Sequence, residues 1–90
     1  MSMQQVTLAI TNQAGLHARA CQKFVQTSKR FRSRILVSRD DLEVDGKSIL
    51  GVMMLAAEMG AEIVVRAEGE DEQEALEALR RLVEDKFGEE

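Results

Sequence analysis

The only histidine of the chain, His17, lies in the stretch NQAGLHAR between a glycine and an arginine that could act with it. A neutral imidazole is a nucleophile, and one that attacks a phosphoryl group becomes a phosphohistidine. Arg19, two residues further on, could offer its guanidinium fork to the phosphoryl oxygens. Gly15 permits a positive φ or a close approach of the backbone to a ligand. These residue types at this spacing indicate phosphoryl chemistry.

A helix predicted over about residues 18–29 would place His17 at its N-cap or beside it. One face of that helix repeats at i, i+3, i+4 and i+7, in Cys21, Phe24, Val25 and Ser28. The first backbone N–H groups, at Ala18 and Arg19, would have no acceptor within the helix and would form an anion site that also favours a neutral ring. From the residues alone, a hydrogen-bonded cap or a surface histidine remains the commoner explanation.

Four strands are predicted from alternation and turn residues. The first carries its apolar side chains at Val6, Leu8 and Ile10. SRILVSR and LEV follow as two strands joined by a turn at RDD, and AEIVVRAEG is the fourth, with a turn at Gly69. Three helices and four strands predict an α+β fold, an open-faced two-layer β-sandwich with one face of the sheet covered. The first strand should run parallel to the second, with the fourth inserted antiparallel between them, which gives the order 1-4-2-3.

Two further helices are predicted from capping residues. Ser48 is a candidate N-cap for a second helix, which Gly60 would end and whose apolar positions are Ile49, Val52, Met53 and Ala56. Asp71 with Glu74 has the spacing of a capping box before the last helix, whose inner stripe would be Leu76, Leu79, Leu82 and Val83. No linker or repeat interrupts the pattern, so residues 1–90 are expected to form a single domain.

The composition is that of a soluble globular domain, with 44% hydrophobic and 31% charged residues. No apolar run approaches the ~18 residues that span a bilayer, so a cytoplasmic location without membrane insertion is expected. A chain of this length buries only about 60 to 65% of its unfolded surface, which disfavours a deep substrate cavity. Cys21 is the only cysteine, and together with His17 it offers too few ligands for a metal.

The charges are segregated along the chain, which has a net charge of −4. From His17 to Arg39 there are seven basic residues and no acid, and every carboxylate side chain follows from Asp40 onward. A solvated helix face would explain this run, and so would the steering of an acidic or phosphorylated partner. The stretch DGKS is not a nucleotide loop, because Asp41 stands where that motif needs a glycine, and no cofactor is expected.

Three separated motifs resemble one known family. GLHAR after the first strand, KSILGVMMLA at the second helix and AEGEDEQEALEALRRLV near the end are similar to the HPr family, the histidine-containing phosphocarriers of the bacterial phosphoenolpyruvate-dependent sugar phosphotransferase system. The likeness runs in order from about Val6 to Val83. It implies that His17 accepts a phosphoryl group on Nδ1 from Enzyme I and passes it to IIA domains, that Arg19 is the active-site arginine, and that the fold is an open-faced β-sandwich.

The same resemblance implies a second modification site and a docking face. Ser48 matches a regulatory serine, with an HPr kinase/phosphorylase and a catabolite-control transcription regulator as further partners. A partner-binding surface is expected at Leu50, Met53, Met54 and Lys23. Ala20 departs from the family, which usually has proline there, so the transfer rate or the partners could differ, as in a nitrogen-related branch.

The prediction is therefore a phosphocarrier that forms a covalent intermediate, rather than an enzyme with its own small-molecule substrate. It is expected to be monomeric and not to bind nucleic acid. The alternative is a non-catalytic regulatory binding module of the same fold, which would dock its partners without accepting a phosphoryl group on His17.

Overall fold

The computed structural model describes residues 3–89, and the elements follow one another in the predicted order. The strands are β1 (Met3–Ala9), β2 (Arg34–Arg39), β3 (Leu42–Asp45) and β4 (Glu62–Glu68). The helices are α1 (Ala18–Ser28), α2 (Ile49–Met54) and α3 (Glu72–Glu84), and a 3₁₀ turn at Lys86–Gly88 follows them. No periodicity in the sequence predicts that turn. None of these helices is long and apolar enough to cross a bilayer within residues 3–89.

The four strands form one sheet in the order β1-β4-β2-β3, and every neighbouring pair is antiparallel. This confirms the predicted order and makes β1 run in the same direction as β2. One row of cross-strand partners crosses the whole sheet, through Val6, Val65, Val37 and Val44. β-branched pairs of this kind stabilise a sheet through side-chain packing on one face. The row thus fixes the register and marks the face that the helices cover.

The helices bury their apolar stripes against that face. On α1 the predicted stripe is confirmed, since Cys21, Phe24, Val25 and Ser28 are all buried. On α3 the stripe is Ala75, Leu79 and Val83, whereas Leu76 and Leu82 are only half-buried at its flanks. The prediction favoured the larger leucines, but the orientation of α3 on the sheet brings its i, i+4, i+8 row closest to the core.

The second helix is shorter than predicted. It ends at Met54, and Gly60 lies in the following turn with φ +95°. The guanidinium of Arg39 explains the early end, because its Nη1 donates to the carbonyl oxygens of Leu55 at 3.2 Å and Ala56 at 2.8 Å. Arg39 belongs to β2, so a side chain of this strand binds both carbonyl groups. Ala56 adopts a positive φ of 48°, which ends the helical geometry.

Fewer side chains of α2 are buried in the core than predicted. Within the helix only Val52 is buried, while Ile49 is exposed. Ala56, predicted to belong to the same stripe, lies beyond the helix and is exposed. A helix of six residues presents one apolar side chain per turn to the core, so the neighbouring apolar positions face solvent.

The predicted capping box at α3 is wrong. The Asp71 carboxylate makes no cap bond within α3 and instead accepts hydrogen bonds from the backbone of Arg32 and from Ser33, whose hydroxyl lies 2.5 Å from Oδ1. It is Glu72 that bonds locally, accepting from the Gly69 backbone N–H at 3.0 Å. Asp71 therefore joins the start of α3 to the entry of β2, and the hydrogen bonds from Ser33 and the Arg32 amide hold the pKa of its carboxyl below the ordinary value.

Candidate functional site

A tight turn after β1 positions the histidine. The Gly15 backbone N–H donates to the Asn12 carbonyl at 3.1 Å, and Gly15 has a φ of +69°, a conformation that L side chains rarely adopt. A Cβ added to Gly15 would lie 2.6 Å from the Ala57 carbonyl oxygen. Glycine is therefore required at this position by conformation and by space. The turn is packed directly against the chain that follows α2.

The next residue anchors the turn in the core. Leu16 is buried, and its backbone N–H donates to the Ala57 carbonyl at 2.8 Å. His17 then takes an extended conformation, with φ −79° and ψ 179°, and becomes the N-cap of α1. Its carbonyl accepts the first bond of the helix from the Cys21 N–H at 2.9 Å. The predicted helix start is thus confirmed, and 34% of the His17 side chain is exposed and can be reached from solvent.

The first turn of α1 offers backbone donors next to that ring. His17 makes no side-chain cap bond, and no acidic residue lies in the first turn. The N–H groups of Ala18, Arg19 and Ala20 precede the first intrahelical bond and have no acceptor within the helix. Together with the helix macrodipole they give this end of α1 a positive potential that favours an anion.

Arg19 is exposed beside these amides. Its guanidinium makes no hydrogen bond or ion pair to any of residues 3–89, so all five of its donors remain available. Two other basic side chains of the run from His17 to Arg39 are engaged within the fold. Arg39 bonds the end of α2 and pairs with Glu58 at 2.9 Å, and Lys23 donates from Nζ to the Phe87 carbonyl at 2.6 Å.

A carboxylate approaches the imidazole from the other end of the chain. Glu89 Oε2 lies 2.5 Å from His17 Nε2, and Glu89 Oε1 accepts from Asn12 Nδ2 at 3.1 Å. The hydrogen bonds from Asn12 and His17 hold the pKa of the Glu89 carboxyl below its ordinary value. An ionised carboxylate can only accept, so Nε2 must carry the proton of this bond.

Asn12 and Glu89 are two residues of this site that were not predicted from the sequence. Asn12 is fully buried, and its Nδ2 also donates to the Gly15 carbonyl at 2.8 Å. Its position in the polar break before His17 was a weak signal for this role. Glu89 gave none, because it lies 72 residues from His17 in the sequence.

Ser48 occupies the predicted N-cap of α2. Its Oγ accepts from the Gly51 N–H at 3.1 Å, which confirms the capping role. A Cβ on Gly51 would lie 3.3 Å from Ser48 and from the Val44 side chain, a contact tighter than most Cβ atoms make. Ser48 is half-buried.

An exposed apolar surface lies on α2, which packs beside α1. Leu50 is 75% exposed and Met54 66%, and Ile49 and Met53 are also exposed. We call these four residues the α2 apolar surface. Lys23, predicted to belong to the same surface, is half-buried on α1, and its ammonium is engaged by the Phe87 carbonyl.

Cys21 does not share the exposed face with His17. It is fully buried, and its thiol lies 3.4 Å from the Leu16 carbonyl oxygen. Burial raises the pKa of the Cys21 thiol to about 11, so it is not a thiolate at neutral pH.

Comparison with known proteins agrees with this architecture. The model of the family described as "PTS HPr component phosphorylation site" matches residues 4–85. The protein named phosphocarrier protein HPr of Neisseria meningitidis serogroup A is 47% identical over 87 residues, which cover 97% of this chain and 98% of that protein.

Two solved structures from Thermoanaerobacter tengcongensis are also similar. The crystal structure of HPr-C-His has a TM-score of 0.93 at 48% identity and covers 97% of this chain and 98% of that one. The crystal structure of an HPr dimer has a TM-score of 0.78 at 48% identity and covers 96% and 99%.

The open-faced sheet of order 1-4-2-3 and its three helices are those of the phosphocarrier proteins of the phosphotransferase system. Within that class, the chain belongs to the HPr family.

Proposed function

We propose that this chain carries a phosphoryl group on His17. The observation that supports this most directly is a half-buried, solvent-accessible imidazole at the N-cap of α1. Beside it lie first-turn N–H groups that have no acceptor within the helix and an arginine that pairs with none of residues 3–89. In the proposed step, the Nδ1 lone pair forms a bond to phosphorus, and the bond between phosphorus and the donor breaks, with its electron pair leaving on the donor. Arg19 and the amides of Ala18 and Arg19 bind the phosphoryl oxygens.

The donor is proposed to be Enzyme I charged by phosphoenolpyruvate, and the acceptors IIA domains. The α2 apolar surface, together with the basic residues of α1, would dock these partners in turn. Exposed methionines suit such a surface, because their flexible side chains adapt to several partner shapes. Substituting Leu50 or Met54 with Glu should weaken docking without unfolding the protein, since both side chains already face solvent.

Ser48 is proposed as a second phosphorylation site for a serine kinase that uses ATP. A phosphate on Oγ would bring nearly two negative charges to the start of α2 and its docking surface. It should therefore weaken the association with Enzyme I. The catabolite-control regulator is proposed as a partner of the form phosphorylated on Ser48.

We also propose a single cytoplasmic domain over residues 1–90 that acts as a monomer. The dimer reported for the T. tengcongensis relative makes the oligomeric state worth measuring directly. Light scattering after size-exclusion chromatography would give the mass, and a dimeric mass at micromolar concentration would contradict this part of the proposal.

The test of the carrier function is a phosphorylation assay read by mass spectrometry. The protein is mixed with phosphoenolpyruvate and an Enzyme I that is shown to phosphorylate another carrier. We expect an acid-labile phosphoryl adduct that maps to His17 and disappears when an active IIA domain is added. His17→Ala should take up no acid-labile group and still bind Enzyme I. Absence of the adduct on the wild-type chain would refute the carrier function and favour a regulatory binding module.

A further inference from the structure

The carboxylate of Glu89, which lies outside α1, is hydrogen-bonded to the His17 ring that is proposed to react. Glu89 bridges two side chains of the β1–α1 turn, with Oε2 on His17 Nε2 at 2.5 Å and Oε1 on Asn12 Nδ2 at 3.1 Å. Asn12 is itself fixed, because it is fully buried and also donates from Nδ2 to the Gly15 carbonyl. Both partners of Nδ2 are acceptors, so the orientation of the Asn12 amide is determined by the network.

The backbone before Glu89 holds the carboxylate in place. Lys86 and Phe87 both have positive φ values, of 57° and 58°, and this pair of left-handed residues turns the chain back over the start of α1. The Phe87 side chain is buried in the core, and the Phe87 carbonyl accepts from Lys23 Nζ at 2.6 Å. Glu89 is therefore presented to the ring by an anchored turn rather than by a free tail.

We propose that Glu89 is a positioning residue for phosphoryl transfer, holding the His17 proton on Nε2 so that Nδ1 keeps its lone pair. This inference rests on the proposed carrier function. A carboxylate that accepts from Nε2–H excludes the tautomer with the proton on Nδ1, and that tautomer has no lone pair on Nδ1 for attack on phosphorus.

The same carboxylate acts on the charge that the reaction creates. When Nδ1 forms its bond to phosphorus while Nε2 keeps its proton, the ring becomes positively charged. Glu89 then faces an imidazolium and stabilises it, as the carboxylate of a Ser–His–Asp triad does. In the second half of the relay the acceptor's nucleophile forms a bond to phosphorus as the N–P bond breaks, the electron pair returns to Nδ1, and the ring leaves as the neutral Nε2–H tautomer. The proton stays on Nε2 throughout, so the exchange is balanced without a further base.

The geometry makes Glu89→Gln a sharper test than Glu89→Ala. Asn12 Nδ2 must still donate, so the amide oxygen of the substituted side chain is expected to take the place of Oε1. The amide NH₂ would then face Nε2 and donate to it, which moves the ring proton to Nδ1. Glu89→Ala removes the constraint without imposing the wrong tautomer. Glu84→Gln is the matched control, because it removes one negative charge from the exposed surface of α3, where Glu84 pairs with Arg80.

Two measurements are made on each full-length variant: the ¹⁵N chemical shifts of the His17 ring at neutral pH, and the rate of phosphorylation by Enzyme I. We expect the wild type to carry its proton on Nε2 and Glu89→Gln to carry it on Nδ1. Phosphorylation should slow by about tenfold in Glu89→Ala and by about a hundredfold in Glu89→Gln, because a wrong tautomer costs more than a lost constraint. Glu84→Gln should stay within about twofold of the wild type, as an exposed surface pair contributes little.

The proposal is overturned if the wild-type ring carries its proton on Nδ1, or if both Glu89 variants keep the wild-type tautomer and rate. A faster Glu89→Ala would also overturn it and would show that the carboxylate blocks the ring. If the wild-type chain takes up no phosphoryl group at all, the carrier function itself fails. The ¹⁵N comparison still decides in that case whether Glu89 sets the tautomer of His17.

Discussion

A methyl group on Gly15 would lie 2.6 Å from the carbonyl oxygen of Ala57. The same carbonyl accepts the Leu16 N–H at 2.8 Å, so the turn that leads to His17 and the loop after α2 are in direct backbone contact. The position of the histidine therefore depends on the absence of a side chain two residues before it.

Gly15→Ala should destabilise the protein by about 2 to 4 kcal/mol, from the positive φ of 69° and the steric overlap together. Gly60→Ala is the matched control, since Gly60 also has a positive φ, of 95°, but a Cβ there would meet nothing within 4 Å. Urea unfolding followed by circular dichroism gives both free energies. An equal loss of unfolding free energy in the two variants would show that the contact with Ala57 is unimportant.

Arg19→Gln should lower the rate of phosphorylation by about tenfold or more, because it removes a charge-assisted bond to the phosphoryl oxygens. Its melting temperature should match that of the wild type, since Arg19 makes no ion pair with any other of residues 3–89. Lys29→Gln removes the same charge at the opposite end of α1 and serves as the control. A rate for Arg19→Gln as high as that of Lys29→Gln would contradict the assigned role.

Ser48→Ala should cost about 1 kcal/mol of unfolding free energy through loss of the bond from the Gly51 N–H. Ser48→Asp keeps an oxygen acceptor at the N-cap and should retain most of that stability. It should nevertheless weaken binding to Enzyme I, because it adds a negative charge at the docking surface. Calorimetry of both variants with Enzyme I separates the two effects, and equal binding by Ser48→Asp and Ser48→Ala would argue against electrostatic regulation.

Ala20→Pro should fold and be more stable by about 0.4 to 1 kcal/mol, because proline removes freedom from the unfolded chain and an N–H that has no acceptor within the helix. The thermal midpoint should rise accordingly. A lower midpoint would mean that the first turn of α1 does not accept the proline ring.

Asp71 should make stability depend on pH in the acid range. Its pKa in the folded state lies below the ordinary value of 3.8, chiefly because Ser33 and the Arg32 amide donate to the carboxylate. The unfolded chain thus takes up the proton first, and the stabilisation is present above pH 3.8 and is lost as the pH falls through the lower, folded-state pKa. Thermal midpoints of Asp71→Asn should show a weaker acid dependence than the wild type. Asp41→Asn is an exposed control, and its thermal midpoint should keep the acid dependence of the wild type.

The order of the elements and the helix start at His17 could be predicted because they depend on short-range patterns. Alternation identified the four strands, the stripe from Cys21 to Ser28 identified α1, and Ser48 marked the start of α2. The sheet order followed from connection rules and was confirmed. The family likeness came from three motifs that keep their order along the chain.

The ends of helices and the acid beside the histidine could not be predicted in the same way. α2 ends at Met54 because Arg39 on a distant strand takes the carbonyls that follow, and the Asp71 carboxylate bonds Ser33 instead of capping its own helix. These partners are set by how the elements pack, and no local pattern encodes them.

The sequence by itself determined that His17 lies at the N-terminus of a helix with Arg19 close by, because those relationships span only a few residues. Only the tertiary structure decided what the ring touches. Phe87 is buried in a core formed by residues from distant parts of the sequence. Its burial places Glu89 beside Nε2 of His17, although the two residues are 72 positions apart. A hydrogen bond requires two groups to lie within a few ångströms, whereas a sequence pattern relates residues only a few positions apart. The contact between Glu89 and His17 therefore exists only because the chain folds.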